Sequence, residues 1–145
     1  MKIKQTRDTL STTYLDAVKI RNLIFVQGQG VPLSIEIDKN EAYCIHFVLY
    51  DDNDKPLATC RLLPDEQKGF VTLQRMAVLD THQGLGLGRR LLQAAETFAK
   101  EQRFKKITLH AQMTAYDFYA KNGYLPVGER FLEAGIEHIT VEKTL

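Results

Sequence analysis

A glycine-rich stretch in the middle of the chain carries the residues best suited to bind a phosphate. In residues 83–90 three glycines alternate with leucines and are followed by Arg89 and Arg90. A strand pattern at 70–78 precedes the stretch, and apolar residues three or four apart behind it predict a helix that ends near Gln102. Amides at a helix start attract anions, and glycine lets the backbone approach a phosphate closely. The sequence therefore predicts a diphosphate site here, flanked by the two arginines.

Three known phosphate loops can be compared with this stretch. The dinucleotide fingerprint requires a glycine where the chain has Arg89, and a carboxylate after the next strand, which ends at His110 instead. A Walker loop requires Gly-Lys-Ser/Thr, which the sequence lacks. The pattern Gln/Arg-x-x-Gly-x-Gly/Ala is satisfied by Gln83, Gly86 and Gly88. Of the three loops, only this last pattern fits.

A second motif follows the next predicted strand. Its fixed positions are Gln112, Ala115, Tyr119, Gly123 and Tyr124. The two motifs, in this order and at this spacing, resemble those of the GNAT N-acetyltransferase superfamily. The family pattern is Asn-x-x-Ala-x-x-x-Tyr-x-x-x-Gly-Phe, so the chain departs from it at the first and last positions.

The resemblance extends over nearly the whole chain. The segments 21–32, 36–46 and 133–138 are similar to a subgroup of small bacterial GNAT proteins, which usually have glutamate where this chain has Gly28. The resemblance implies one domain over residues 1–145 with a mixed α/β (α+β) acyl-CoA N-acyltransferase fold. In that fold a mostly antiparallel sheet, flanked by helices, contains a central splayed pair of parallel strands.

The resemblance also implies an activity and a set of site residues. Members transfer the acetyl group of acetyl-CoA to a primary amine of a small molecule or peptide by direct attack in a ternary complex, without a metal. Tyr119 matches the family's general acid, which protonates the departing thiolate. The positions that match the acetyl-CoA site are Met76, Ala77, Val78, Gln83, Gly84, Leu85, Gly86, Leu87, Gly88, Arg89, Gln112 and Phe118.

The general base is left open by the sequence. Many members have a glutamate where this chain has Gln74, and a glutamine cannot accept the proton. The remaining candidates are Glu36, Asp38, His46, His110 and His138. A non-catalytic acyl-CoA binding or sensing module is the alternative function. Three further arginines, Arg21, Arg61 and Arg75, could bind an anionic acceptor, but surface ion pairs or stems packed on the protein are the favoured interpretation.

Composition limits the partners. The chain has 145 residues and a formal net charge of +1, which gives no reason to expect nucleic-acid or membrane partners. Cys44 and Cys60 lie in strand-like runs and are predicted to be buried free thiols, which indicates the cytoplasm. Homodimers are frequent in the family, and the oligomeric state is left open.

Periodicity and turn residues predict the remaining elements. Ser11 is predicted to cap a helix that runs to about Val26, and Thr114 to cap a second helix that Gly123 ends. The predicted strands are 2–6, 43–50, 56–63, 70–78, 107–110, 124–131 and 136–143. Strands 43–50, 56–63 and 70–78 form an antiparallel meander, and a crossover helix makes strands 70–78 and 107–110 parallel.

Overall fold

Seven strands form one mixed sheet in the order β1-β2-β3-β4-β5-β7-β6. The computed structural model describes residues 1–145, except for the side chains of residues 34 and 35. The strands are β1 (Lys2–Thr6), β2 (Ile45–Tyr50), β3 (Pro56–Asp65), β4 (Phe70–Val78), β5 (Lys106–Gln112), β6 (Leu125–Glu133) and β7 (Ile136–Thr144). The α-helices are α1 (Thr12–Arg21), α2 (Leu33–Glu36), α3 (Leu87–Glu101) and α4 (Tyr116–Lys121).

Strands β2, β3 and β4 form the predicted antiparallel meander, and β1 pairs antiparallel with β2 at the edge of the sheet. Strand β2 is buried on both faces. Its residues Ile45, Phe47 and Leu49 belong to the core beneath α3, whereas Val48 and Tyr50 pack with α1 on the other face. The period of two along a strand therefore separates two layers, each covered by one long helix.

The sheet opens between β4 and β5, the one parallel pair. Their pairing is confined to Phe70–Thr72 against Lys106–Thr108. Beyond that point β4 stays paired with β3, and β5 stays paired with β7 as far as Gln112. Since neither strand pairs with the other at its carboxyl end, a wedge opens there. This confirms the predicted splay.

Helix α3 fills the layer below the wedge because its apolar residues fall on one face. The residues with almost no exposure are Leu87, Leu91, Leu92, Ala95 and Ala99. Phe98 lies at the edge of this face and makes an edge-to-face contact with Phe47, with ring centroids 5.7 Å apart. This packing fixes the start of the helix beside the end of β4.

Two helix predictions are corrected. Ser11 does cap α1 by accepting a hydrogen bond from the amide of Tyr14, but α1 ends at Arg21 and a π-helix follows at Asn22–Gly28. Because no glycine or proline precedes Gly28, the backbone stays helical beyond Arg21 and only changes from α-helical to the wider π-helical geometry. Thr114 does not cap α4. A 3₁₀ turn at Met113–Ala115 comes first, and Ala115 takes the cap position without a side-chain hydrogen bond.

Both cysteines are buried and free, as predicted. Cys44 and Cys60 have at most 1% of their surface exposed. Among the described residues, none of the helices is both long and apolar enough to span a bilayer.

Candidate functional site

The wedge between β4 and β5 leads into a cavity of about 900 Å³. One end is lined by the glycine loop and the start of α3. The middle is lined by the unpaired edge of β4 and by Tyr119, and the far end by α2 and the β6–β7 hairpin. The volume is large enough for a ligand of cofactor size together with a small second molecule.

The glycine loop presents unpaired backbone donors to this cavity. Gly84 and Gly86 have φ angles of +80° and +76°, a region that favours glycine, and nothing lies within 4 Å of a Cβ built on either. Gly86 caps α3 without any side-chain hydrogen bond, and the first helical bond joins the Arg90 amide to the Gly86 carbonyl. The amides before Arg90 are therefore available to an anion.

The loop is held in place by two contacts. The side-chain amide of Gln83 donates one hydrogen bond to the Val78 carbonyl over 3.3 Å and one to the Asp80 carboxylate over 3.1 Å. A Cβ at Gly88 would stand 3.4 Å from the ring of Phe118, so the small residue lets this ring pack on the helix start. The residues present thus fit a diphosphate on the loop and an extended arm along β4.

Strand β4 contains a bulge where it borders the wedge. The register against β3 shifts between Thr59 and Arg61, so that Arg75 and Met76 together oppose Cys60. Arg75 has a φ of +57°, which costs a non-glycine residue about 1 kcal/mol or more. A bulge interrupts the regular ladder, and this one lies beside the edge of β4 that an incoming arm would meet.

Tyr119 lies deep in the cavity wall on α4. It is only 5% exposed, and its ring makes edge-to-face contacts with Phe118 and Tyr124 at centroid distances of 5.0 and 5.7 Å. Its hydroxyl has no hydrogen-bond partner among the described residues. Burial raises the pKa of the Tyr119 phenol, and the nearby Cys60 makes a smaller contribution in the same direction. The phenol therefore stays protonated at all ordinary pH values and is available as a donor.

A buried cluster of ion pairs supports the far end of the cavity, and the sequence did not indicate that its members lie together. Arg21 is 1% exposed and binds Glu36 with an Nε–Oε1 distance of 2.7 Å and Glu41 with an Nη2–Oε1 distance of 2.5 Å. Arg61, also 1% exposed, binds Glu41 over 2.6 Å and Asp38 over 2.8 Å. Arg21 and Arg61 do form the ion pairs that were predicted, but these pairs are buried and not at the surface.

Three arginines balance three carboxylates in this cluster. Arg75 completes it with contacts of 3.3 Å to Glu36 and 3.4 Å to Asp38. Arg61 also donates to Gln74 over 3.0 Å, so this glutamine serves the cluster. The cluster joins α1, α2, β3 and β4, and thereby fixes the segment that closes the far end of the cavity.

The cluster makes Glu36 and Asp38 poor general bases. Glu36 is 2% exposed and receives two hydrogen bonds from Arg21. Burial opposes the ionisation of Asp38, but hydrogen bonds from Arg61 outweigh it and hold the pKa of this carboxyl below its ordinary value. Both groups line the cavity, yet each is bound as a carboxylate to arginine.

Acid should lower the free energy of unfolding by protonating a carboxylate of this cluster. Burial alone would raise the pKa of Glu41, but Arg21, Tyr14 and Arg61 together lower it from its ordinary value of 4.5. A lowered folded-state pKa adds stability above the unfolded pKa, and that stability is lost as the pH falls through the folded pKa. We expect the free energy of unfolding in urea to fall below about pH 4.5, and to fall less steeply in Glu41→Gln.

Glu41→Gln should also lose about 2 kcal/mol at pH 7, because two arginines lose a charged acceptor. Urea titrations at several pH values measure both effects. Equal pH slopes in the two proteins would place the acid-sensitive groups elsewhere.

The three candidate histidines differ in whether they line the cavity. His46 is fully buried and is not among the described residues that line the cavity. Its Nε2 lies 2.9 Å from the Glu41 carbonyl, so it carries a hydrogen, and burial lowers its pKa. It is therefore neutral and has no access to a substrate. His110 and His138 both line the cavity, on either side of Glu133.

The structure brings the predicted site residues together with one exception. Of the thirteen positions assigned to Tyr119 and the acetyl-CoA site, all but Leu85 line the cavity. The side chain of Leu85 points outward and is 62% exposed. Arg89 lines the cavity, whereas Arg90 contacts the sulfur of Met1 over 3.4 Å. The described residues contain no group of three metal-ligating side chains close enough to bind one ion.

Comparison with known proteins agrees with these features. Residues 33–145 match the family model described as an acetyltransferase (GNAT) domain. The chain is 36% identical over 129 residues to the uncharacterised N-acetyltransferase YjcF of Bacillus subtilis, covering 88% of this chain and 90% of the relative. A second acetyltransferase candidate of Bacillus subtilis is 35% identical over 130 residues, covering 88% and 86%.

Solved structures share the fold over nearly the full length. An N-acetyltransferase candidate from Lactobacillus plantarum superimposes with a TM-score of 0.92 at 29% identity, covering 99% of this chain and 97% of the other. Escherichia coli ElaA superimposes with a TM-score of 0.85 at 25% identity, covering 99% of each chain. With its splayed sheet, its glycine loop and these relatives, the chain belongs to the GNAT acetyltransferase family.

Proposed function

We propose that the protein transfers the acetyl group of acetyl-CoA to a primary amine of a small molecule or peptide, by direct attack in a ternary complex. One observation carries the proposal. The uncapped start of α3, with its two positive-φ glycines, opens into the same cavity as the buried hydroxyl of Tyr119. An anion site and a proton donor thus face one space.

Different residues along the cavity bind different parts of acetyl-CoA. The amides between Gly84 and Arg89 hold the diphosphate, and Arg89 adds a positive charge. The free edge of β4 at Met76, Ala77 and Val78 pairs with the peptide-like pantetheine arm, as an added strand would. Phe118 packs against that arm, and Gln112 lies at the opposite wall of the wedge.

Acetyl-CoA, when bound, supplies an acetyl thioester. A backbone amide at Met76 or Ala77 donates a hydrogen bond to the oxygen that gains negative charge, as oxyanion-hole donors do. Tyr119 gives its proton to the departing sulfur. Burial keeps the phenol protonated before the reaction, and its proton leaves as negative charge develops on the departing sulfur.

A sensing module that binds acyl-CoA without turning it over is the second candidate. It is favoured by Gln74, which takes the place of the common glutamate and is bound to Arg61. A screen of amines for release of free thiol from acetyl-CoA separates the two. An enzyme releases thiol with at least one amine, whereas a sensor binds acetyl-CoA and releases none.

The glycine loop allows a sharp test of the anion site. In Gly86→Ala the added methyl would stand in the open space before the helix start, so we expect acetyl-CoA to bind about tenfold more weakly in calorimetry. The variant should also lose about 1–2 kcal/mol of stability, because alanine is strained at this φ. Gly128→Ala is the matched control, with a φ of +77° and equally open surroundings outside the cavity.

The control should lose similar stability and keep its affinity for acetyl-CoA. If both variants bind acetyl-CoA as tightly as the wild type, the loop is not the diphosphate site.

We also propose that residues 1–145 act as one catalytic domain in the cytoplasm. The single sheet uses strands from Lys2 to Thr144, so both ends of the chain contribute to one layer. Two buried free thiols fit a reducing compartment.

A further inference from the structure

The far end of the cavity contains a carboxylate between two histidines. Glu133 ends β6, His110 lies on β5 and His138 on β7. His110 Nδ1 is 2.9 Å from one oxygen of Glu133, and His138 Nε2 is 3.6 Å from the other. All three residues line the cavity that contains Tyr119. These three residues belong neither to the diphosphate site nor to Tyr119, the proton donor for the departing sulfur.

The proton on His138 can be placed from its neighbours. Nδ1 lies 2.7 Å from the carbonyl oxygen of Ile136. A carbonyl only accepts, so Nδ1 carries the hydrogen, and in the neutral ring Nε2 has a free lone pair. The ring is stacked on Phe131 with an interplanar angle of 22°, and its side chain is only 7% exposed. The tautomer and the orientation of the ring are thus both fixed.

This arrangement places two acceptors side by side. The lone pair of Nε2 and the carboxylate of Glu133 lie 3.6 Å apart, and no described residue donates to Nε2. Two acceptors at this distance repel each other unless a hydrogen-bond donor lies between or beside them. An alkylammonium ion has three donors and a positive charge, so it can satisfy both acceptors at once.

The charges at this end of the cavity favour such a ligand. The three arginines of the buried cluster are balanced by its three carboxylates, and Arg130 pairs with Glu137. Among the described residues the carboxylate of Glu133 forms ion pairs only with histidines, so its negative charge is not balanced by a permanent cation. The 3₁₀ turn Met113–Ala115, which packs on β7, adds no titratable side chain.

Building on the proposed function, we propose that His138 is the general base and that the acceptor is a cationic aliphatic amine bound through Glu133. The ammonium gives one proton to Nε2 of His138, and Glu133 stabilises the imidazolium that forms. The freed lone pair makes the new C–N bond to the acetyl carbon while the C–S bond breaks, and Tyr119 gives its proton to the sulfur. The acetylated nitrogen loses its excess proton to solvent, which gives the neutral amide, and solvent reprotonates Tyr119. The imidazolium then loses its proton to solvent past the half-exposed Glu133.

Replacing His138 should slow the enzyme in a pH-dependent manner. We expect His138→Gln to lower kcat/KM about 10²-fold at neutral pH, the usual contribution of a general base. The loss should shrink as the pH rises, because more of the amine is then already deprotonated. Added imidazole should restore part of the activity of His138→Gly. The affinity for acetyl-CoA should not change, since the diphosphate site is at the other end of the cavity.

Glu133→Gln separates binding from proton transfer. It should raise KM for a cationic amine about tenfold and lower kcat less, because it removes the charge and keeps the acceptor oxygen. A loss of activity in His138→Gln that is equal at all pH values, together with no rescue of His138→Gly by imidazole, would overturn the role of a base and leave only a structural one.

The tautomer can be tested without any turnover. In ¹⁵N-histidine spectra of the free protein, the signal that disappears in His138→Gln should show a protonated Nδ1 and a bare Nε2. A bare Nδ1 would overturn the inference. If the wild type acetylates no amine at all while His138 shows the expected tautomer, the proposed function fails and this geometry does not.

Discussion

Tyr119→Phe should lower kcat by about 10²-fold or more and leave the dissociation constant of acetyl-CoA within about twofold. The substitution removes only the hydroxyl, which has no partner among the described residues, and keeps the ring contacts with Phe118 and Tyr124. The departing sulfur then has no buried donor. Stopped assays of free thiol give kcat, and calorimetry gives the affinity.

Tyr116→Phe provides the control for this experiment. Tyr116 lies on the same helix, packs against the core and is not among the described residues that line the cavity. It should keep its rate within about twofold. If Tyr119→Phe turns over as fast as this control, Tyr119 is a packing residue and the proton comes from elsewhere.

Arg21→Met should cost about 3–5 kcal/mol of the free energy of unfolding, the largest effect on stability that the structure predicts. Methionine fills much of the same space but leaves Glu36, which is 2% exposed, and the carboxylate of Glu41, which is 10% exposed, without their main partner. The cost is that of a buried charge with too few partners. Urea unfolding at pH 7 measures it.

Two further variants test whether the orphaned carboxylates cause the loss of stability in Arg21→Met. Lys19→Met removes an exposed cation from the same helix and should change stability by no more than about 0.5 kcal/mol. Adding Glu41→Gln to Arg21→Met should restore part of the loss, since the orphaned carboxylate disappears with it. If Arg21→Met is as stable as the Lys19 variant, the cluster does not hold α1 and α2 together.

Local patterns explain why much of the fold and the position of the glycine loop could be predicted. The period of α3 and the glycine spacing before it are contained in about twenty residues, and the structure has both in the predicted place. The splay of β4 and β5 followed from the family resemblance, and the pairing confirms it. Leu85 is the exception, because the turn directs its side chain away from the cavity.

The buried cluster could not be predicted because its partners are far apart in sequence. Arg21 binds residues fifteen and twenty positions later, and Arg61 lies forty beyond it. One signal was present: Arg21 follows the buried Ala17 by four residues, so it lies on the inner face of its helix. An arginine on that face must be paired, which already argues against a surface position.

The bulge in β4 gave no signal in the sequence. Arginine is not a residue that favours positive φ, so nothing at Arg75 indicated a break in the ladder. The role of Glu133 was also missed, because its relation to His110 and His138 depends on how β5, β6 and β7 align across the sheet. Contacts of this kind are set by register, which local periodicity does not fix.

A structure of the protein bound to acetyl-CoA or CoA tests the central claim most directly. The account predicts that the diphosphate is bound by the backbone amides of residues 84–89, and that the sulfur lies within hydrogen-bonding distance of the Tyr119 hydroxyl. A diphosphate bound elsewhere, with this hydroxyl turned away from the sulfur, would contradict it.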